Sequence, residues 1–416
     1  MAPRRIRPDQ LAQVLPPRGL TWLQACSAES PFIREGLIAA GDSLGAMTFA
    51  GIFVPGLNRI DYALAGVRRV KTFFMTPELF QASDRVEFLP LCYRDILSTL
   101  RALKFDAALM AVSPPDEKGL CSFGPVADFL VELWPRIPLR IAHINPRISR
   151  AAGAVGVPFS ELTAVIEGDS DLPVSSVGRD EISNRIGGFV SGLVPDEATV
   201  QAGLGRIPET AMASLRSHRD LALHSGLVGD SALELLEAGA LHRDRNVITA
   251  GVAIGSRRLY DAIGDEAFCF RPVSHTHSLR VLSRIDNLFT INSAIEVDLF
   301  GQAYSELTPK GFVSGPGGAS DFAAGARDGG GLRIVALPAT TERGSVSRIV
   351  GPCAASGPMS LGRFDIDVVV TEFGVADLRG RGHDERAEAL MTIAAPSHQS
   401  ELSAAWQDWR NGKLKR

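Results

Sequence analysis

Residues 221–230 read LALHSGLVGD, and this stretch decides how the chain is interpreted. Leu221, Ala222 and Leu223 form an apolar run of strand type, and His224, Ser225 and Gly226 follow directly. Asp230 and Ser231 then give a helix-start signal. A strand that feeds a helix within a few residues is the building unit of an α/β sheet. In such sheets chemistry sits just past the carboxyl ends of the strands. Here that position holds Gly226, which has no side chain to react.

Working outward, the same unit recurs along the chain. The first half contains the apolar runs LTWLQA (20–25), AMTFAG (46–51), KTFFMT (71–76), VEFLPL (86–91), AALMAVS (107–113), LRIAHIN (139–145) and TAVIEG (163–168). Helical patterns lie between them, among them RDILSTLRAL (94–103) and FGPVADFLVELW (123–134). Uncharged strands alternating with helices predict a mostly parallel, buried sheet. The polar segment 167–181, EGDSDLPVSSVGRDE, has little to bury and marks a linker. The expected organisation is an N-terminal α/β domain over 1–170, a linker over 171–183 and a C-terminal α/β domain over 184–416. After the linker the pattern restarts with a helix near ISNRIGGFVSGL and the strand ATVQAG (198–203). QACSAESP (24–31) and QAGLGRIP (201–208) share Gln, Ala and Pro at one offset, so the two halves are expected to share a fold.

Composition narrows the class. With 416 residues the chain exceeds one ordinary core, and 45% hydrophobic with 22% charged residues is the balance of a globular protein. A net charge of −4 gives no reason to expect a nucleic-acid partner. No apolar run is long enough for a membrane span, and no signal-peptide core follows the Arg-rich start, so a cytoplasmic protein is expected. The five cysteines are widely spaced without any CxxC, which argues against disulfides and zinc.

Four segments carry candidate chemistry. GLGRIP (203–208) is a strand-to-helix turn whose Gly203 and Gly205 allow a ligand near the backbone. Pro208 stands where a dinucleotide fingerprint wants a third glycine, which weighs against an NAD-dependent oxidoreductase, the outside alternative. SGPGGASDFAAGARDGGG (314–331) places Gly315, Gly317 and Gly318 before a helix expected to be capped by Ser320 or Asp321 and to stop at Gly329. That loop suits an oxyanion or phosphate and lacks the P-loop lysine. TINSAIEVDLFGQ (290–302) is expected to be one strand with Asn292, Ala294, Glu296 and Asp298 on one face, making Glu296 a candidate base. His275 and His277 are expected to share a strand face without a third ligand, so no metal site is expected and both are assigned to packing or surface.

Taken together the segments resemble the acetyl-CoA hydrolase/transferase family, which includes acetate and 4-hydroxybutyrate CoA-transferases. The resemblance rests on VSPPDEKG (112–119), the INP and Arg run at 144–150, GLGRIP, LHSGLVGD, LLEAGAL (235–241) and INSAIEVDLFGQ. It continues through GPGGASDFAAGA, VSRIV (346–350), DVVVTEFGVADLRG (367–380) and ERAEALMTIAAP (385–396). It implies two similar CoA-transferase-type α/β domains with mostly parallel sheets and an acyl-CoA site between them. It also implies ping-pong chemistry, in which a glutamate attacks the thioester and holds CoA as a glutamyl thioester before a carboxylate takes it. Coenzyme A is then substrate and product, with no tightly bound cofactor; acyl-CoA and a small carboxylate are the partners, and homo-oligomer formation is left open.

That glutamate follows the serine of this strand in the family, and here Gly226 occupies its place. Ala319, Ser320, Tyr304 and the run Ala28-Glu29-Ser30-Pro31 are further departures on loops around the substrate. The expectation is therefore an acyl-CoA-processing enzyme, by hydrolysis or by CoA transfer, that does not use the usual glutamate. Gly226 would leave room for a water, Gly203, Gly205, Gly317 and Gly318 would bind CoA or an oxyanion, and Glu296 or Glu29 would be the base. A transferase using a carboxylate from elsewhere and a CoA-binding protein without turnover are the alternatives.

Overall fold

All six residues of the strand Ala107–Val112, AALMAV, are buried, as in a strand covered on both faces. In the computed structural model, which describes residues 2–63, 67–153, 156–341 and 344–413, this strand lies inside an eight-stranded sheet. The order is Arg4–Arg5, Ala164–Glu167, Leu139–Ile144, Ala107–Val112, Arg18–Leu23, Ala46–Gly51, Arg69–Thr72, Val86–Phe88. Every pairing in it is parallel. A second eight-stranded sheet runs Phe268–Phe270, Ile248–Ala253, Ala222–Val228, Thr199–Ala202, Leu288–Ser293, Arg333–Ala336, Val368–Thr371, Gly374–Asp377. Only its last pair is antiparallel.

The two sheets are wound alike. Apart from the edge strand Arg4–Arg5, each begins with an inner strand, Arg18–Leu23 or Thr199–Ala202. The next three strands are laid to one side in chain order, and the chain then crosses to the other side. The shared Gln motif performs the same task in both. Gln24 Oε1 accepts the Ala111 N–H at 2.7 Å, and Gln201 bonds the Asn292 side chain at 3.1 Å. Ala111 and Asn292 lie on the counterpart strands that flank the two inner strands. The expected α/β class with two similar halves is what the chain forms.

The halves are stitched together. Val126 bridges Val252, the Ala127 N–H donates to the Gly251 carbonyl at 2.9 Å, and the Ala253 N–H donates to the Pro125 carbonyl at 2.8 Å. Cys26, Ala28, Val54, Val126, Val252 and Ile254 pack into one apolar cluster across the seam. The glycine-rich loop docks the other way. The Met75 N–H donates to the Ser314 carbonyl at 3.2 Å, and Arg94 meets the buried carboxylate of Asp321 at 2.7 Å.

Several elements differ from the sequence expectation, each for a physical reason. The helix expected over 123–134 is α-helical only at Leu130–Leu133, because 125–127 give their backbone groups to the second sheet. The run 71–76 leaves the sheet after Thr72, since Thr76 caps the helix Pro77–Gln81 with Pro77 in its first turn. The strand expected over 290–302 breaks after Ser293, and Glu296–Asp298 joins a separate three-stranded sheet. Gly318, not Ser320 or Asp321, occupies the cap of the helix Ala319–Ala326, which ends before Gly329. His275 belongs to the helical turn Val273–Thr276 and His277 follows it, so neither lies on a strand. Among the described residues no helix is long and apolar enough to cross a membrane.

Candidate active site

The strand Thr199–Ala202 lies where the winding of its sheet reverses, the place where α/β sheets open a crevice. Its pairing with Ala222–Val228 stops at Val200 and Leu223. Beyond that point the Ser225 hydroxyl donates to the Ala202 carbonyl at 3.0 Å. The strands part above this bond, and a cavity of about 370 Å³ opens at their carboxyl ends. The first half contributes Cys26, Ile52, Val54, Phe74, Tyr93 and Asp128 to its wall. From the second half come Gln201 to Leu204, Gly226, Val252, His277, Asn292 and the loop 314–319.

Gly203, Gly226, Gly317 and Gly318 are thus brought together on one cleft. Gly205 stands outside this wall, with φ of 117° at the cap of the helix Arg206–Ala213. Gly317, at φ of 64°, requires the conformational freedom of glycine. The carboxylates expected as bases lie elsewhere. Glu296 is outside the wall and accepts from the Ser356 N–H at 2.8 Å and the Ser356 hydroxyl at 3.0 Å. Asp298 is buried in a turn, taking the Phe300 and Gln302 N–H groups at 3.0 Å each and the Tyr304 hydroxyl at 2.9 Å. Glu29 is buried behind the wall, bonded by the Tyr62 hydroxyl at 2.5 Å and 3.8 Å from Arg34, and burial raises its pKa.

The space beside Gly226 is not vacant. A Cβ on Gly226 would lie 2.7 Å from both Cε1 and Nε2 of His277, and one on Gly318 would lie 2.4 Å from Nε2. A real Cβ essentially never comes that close to another heavy atom, so this ring position demands glycine at both sites. Gly226 itself has no positive φ, so the ring and not the backbone excludes a side chain. The water expected there is replaced by an imidazole edge.

The ring is held from every side. Tyr93 stacks on it at 4.4 Å and 17°, and Phe322 packs against it at 4.8 Å. Nδ1 lies 2.9 Å from the Thr276 hydroxyl, which also reaches the Pro272 carbonyl at 3.4 Å. His224 of the LALHSG stretch bonds the Thr276 carbonyl through Nε2 at 3.1 Å and fixes this turn. Both Thr276 contacts are satisfied when the hydroxyl proton points to Pro272 and Nδ1–H donates to the hydroxyl oxygen. Nε2 then carries the lone pair. Among the described residues Nε2 has no hydrogen-bond partner, and His277 lines the cleft. Burial, with a smaller contribution from His224, pushes the pKa of His277 down to about 3, and burial takes that of His224 down to about 4. Both rings are neutral at neutral pH.

Two further wall residues carry chemistry that sequence reasoning passed over. Asp128 is buried, and burial raises its carboxyl to about 6 despite the Phe129 N–H bonded to it at 2.5 Å. The Tyr93 phenol is pushed well above its usual range by burial. One signal pointed to His277: it follows the strand Phe268–Phe270 and Pro272, so it too lies past the carboxyl end of a parallel strand.

Comparison with known proteins agrees with this architecture. Residues 255–406 match the model of the acetyl-CoA hydrolase/transferase C-terminal domain. The chain is 32% identical over 330 residues to the 4-hydroxybutyrate coenzyme A transferase of Clostridium kluyveri, covering 77% of each chain. It is 28% identical over 245 residues to the acetyl-CoA hydrolase of Kluyveromyces lactis, covering 56% of this chain and 45% of that one. Among solved structures, the 4-hydroxybutyrate CoA-transferase of Porphyromonas gingivalis superposes with a TM-score of 0.78 at 26% identity over 98% of both chains. RipA of Yersinia pestis superposes with a TM-score of 0.87 at 23% identity, covering 99% of this chain and 98% of that one, a likeness of fold. The fold and the cleft at the switch strand define a CoA-transferase-type α/β protein. The chain belongs to the acetyl-CoA hydrolase/transferase family.

Proposed function

We propose that this protein processes acyl-CoA thioesters in the cleft between its halves, by a route that forms no glutamyl thioester at position 226. Coenzyme A is substrate and product in this reading. The reacting carbonyl sits against the backbone of Gly317 and Gly318, and the acyl group lies toward the apolar wall of Ile52, Val54 and Val252. The observation that carries the reading is the convergence of Gly203, Gly226, Gly317 and Gly318 on one cavity at the switch strand, in a chain of this family. An expected domain limit near 171–183 puts contributors to the cleft on both sides of it.

The test is a panel of acyl-CoAs, with and without acetate or succinate, following free CoA and exchanged thioester. Release of CoA or exchange supports the reading. Calorimetry showing no CoA binding at millimolar concentration, with NADH bound instead, overturns it in favour of an oxidoreductase. One observation favours a second reading, a CoA-binding protein without turnover: a buried imidazole of low basicity fills the space beside Gly226. CoA binding without release or exchange across the whole panel would establish it.

A further inference from the structure

Resting on that reading, we infer that His277 is the catalytic residue of the cleft, activating water through Nε2, so that this protein hydrolyses acyl-CoA where the family's glutamate would transfer CoA. Three observations converge. The imidazole edge occupies the volume that a side chain at 226 would enter, within 2.7 Å of its first carbon. The Thr276 hydroxyl, whose own proton goes to the Pro272 carbonyl, favours the Nδ1–H form, which leaves the lone pair on Nε2 at the ring edge between Gly226 and Gly318 of the cleft wall. The ring cannot swing away, because Tyr93 and Phe322 pack against it and Gly226 and Gly318 receive its edge.

The exchange of base for nucleophile changes the product. Transfer needs the enzyme to hold CoA covalently while the acyl group changes partners. A base holds nothing, so CoA leaves once the thioester opens. The step balances as follows. The water oxygen bonds the thioester carbonyl carbon while Nε2 takes a water proton. The tetrahedral intermediate collapses, the C–S bond breaks, and the sulfur leaves with the proton from Nε2–H. The products are a free carboxylic acid and CoA thiol. The buried setting that lowers the basicity of the free ring also strengthens its attraction to the oxyanion forming beside it. Proton transfer is therefore tied to bound substrate.

The test uses acetyl-CoA and butyryl-CoA with the full-length protein in water enriched in oxygen-18. Wild type is expected to release CoA with one heavy oxygen in the acid, and added acetate is expected to give no exchanged thioester. His277→Gln is expected to lower kcat at least 100-fold, in line with loss of a general base, and to leave CoA affinity within about threefold by calorimetry. His277→Ala is expected to regain part of the rate with added imidazole. Wild-type exchange into acetate without net hydrolysis overturns the inference, as does full hydrolysis by a folded His277→Gln protein; CoA binding survives either result. If the substituted proteins fail to fold, the wild-type label and exchange measurements decide alone. Absence of both CoA binding and turnover in wild type would instead remove the reading beneath it.

Discussion

The two strand-to-helix turns that share Gln, Ala and Pro have been put to opposite uses. In the first half Cys26 touches the cleft wall, but the turn after it is closed: Ser27, Ala28 and Glu29 are buried away from the cleft, and the Ser27 hydroxyl is tied to the Ala253 carbonyl of the other half at 2.6 Å. In the second half Gly203 faces the cleft and Leu204 is exposed. The winding is the same and the supporting Gln bond equivalent, yet one turn has become a structural seam and the other a binding edge. In a duplicated architecture topology fixes where a site can form, and the few residues after the switch strand decide whether it does.

The strongest way to break this picture is Gly226→Glu. If His277 fills the site, the single substitution forces a side chain into the ring and buries a carboxylate, a loss of at least about 3 kcal/mol. Adding His277→Ala is expected to return most of that stability and to bring acetate-dependent exchange of butyryl-CoA. Urea unfolding and thioester exchange measure both; a stable single variant with unchanged hydrolysis would show that the ring is not fixed there.

Arg94→Ala probes the second contact between the halves. It strands the fully buried Asp321 carboxylate, and because the Arg94 side chain is 45% exposed the expected cost is about 2–3 kcal/mol. The glycine-rich loop loses its anchor, so the KM for acyl-CoA should rise more than kcat falls. A change in stability with KM untouched would mean the loop is held without this pair.

A smaller effect lies in pH. His277 titrates near 3 when folded and near 6.5 when unfolded. The unfolded chain therefore binds the extra proton first, and the stability linked to this ring is complete above pH 6.5 and withdrawn as pH falls through 6.5 toward 3. From pH 7 to 5 that amounts to about 2 kcal/mol. His277→Gln should lose about that much less than wild type over the interval, read from denaturation at each pH; identical slopes would mean the ring is solvated. The same depression weakens the free ring as a base by about 5 kcal/mol. An oxyanion about 4 Å away at an effective dielectric of 20 returns about 4 kcal/mol, so the bound intermediate restores most of what burial removed.

The smallest expectation concerns Glu296, whose carboxylate serves Ser356. Glu296→Gln should keep thioester turnover within about twofold and stability within about 1 kcal/mol. A hundredfold loss of rate would return Glu296 to the chemistry.

How much of this was visible in the residues follows from the range of each interaction. The alternating pattern, the glycine turns and the Gln pair are local, and they marked most of the strands and the helix starts after Gly205 and Gly318, though not every boundary. The single strand expected over 290–302 failed because Glu296–Asp298 breaks away after Ser293 to pair with Ile349–Val350, far along the chain, so Glu296 and Asp298 share a strand with each other but not with Asn292. The irregular run 123–129 failed likewise, since its partners are at 251–253. His277 was assigned to packing because its meaning depends on two glycines, Gly226 and Gly318, that no sequence window contains along with it.

The stitched seam also bears on how the chain is made. Val273 completes the apolar core beneath the first sheet, while Ala111, Ala127 and Ile148 belong to the core of the second. A growing chain that has just released residue 130 must add roughly 150 more before its first half can close, on the order of ten seconds at usual synthesis rates. Until then the edge that later meets Val252 is bare, and the nascent chain has reason to be a client of chaperones before it is an enzyme.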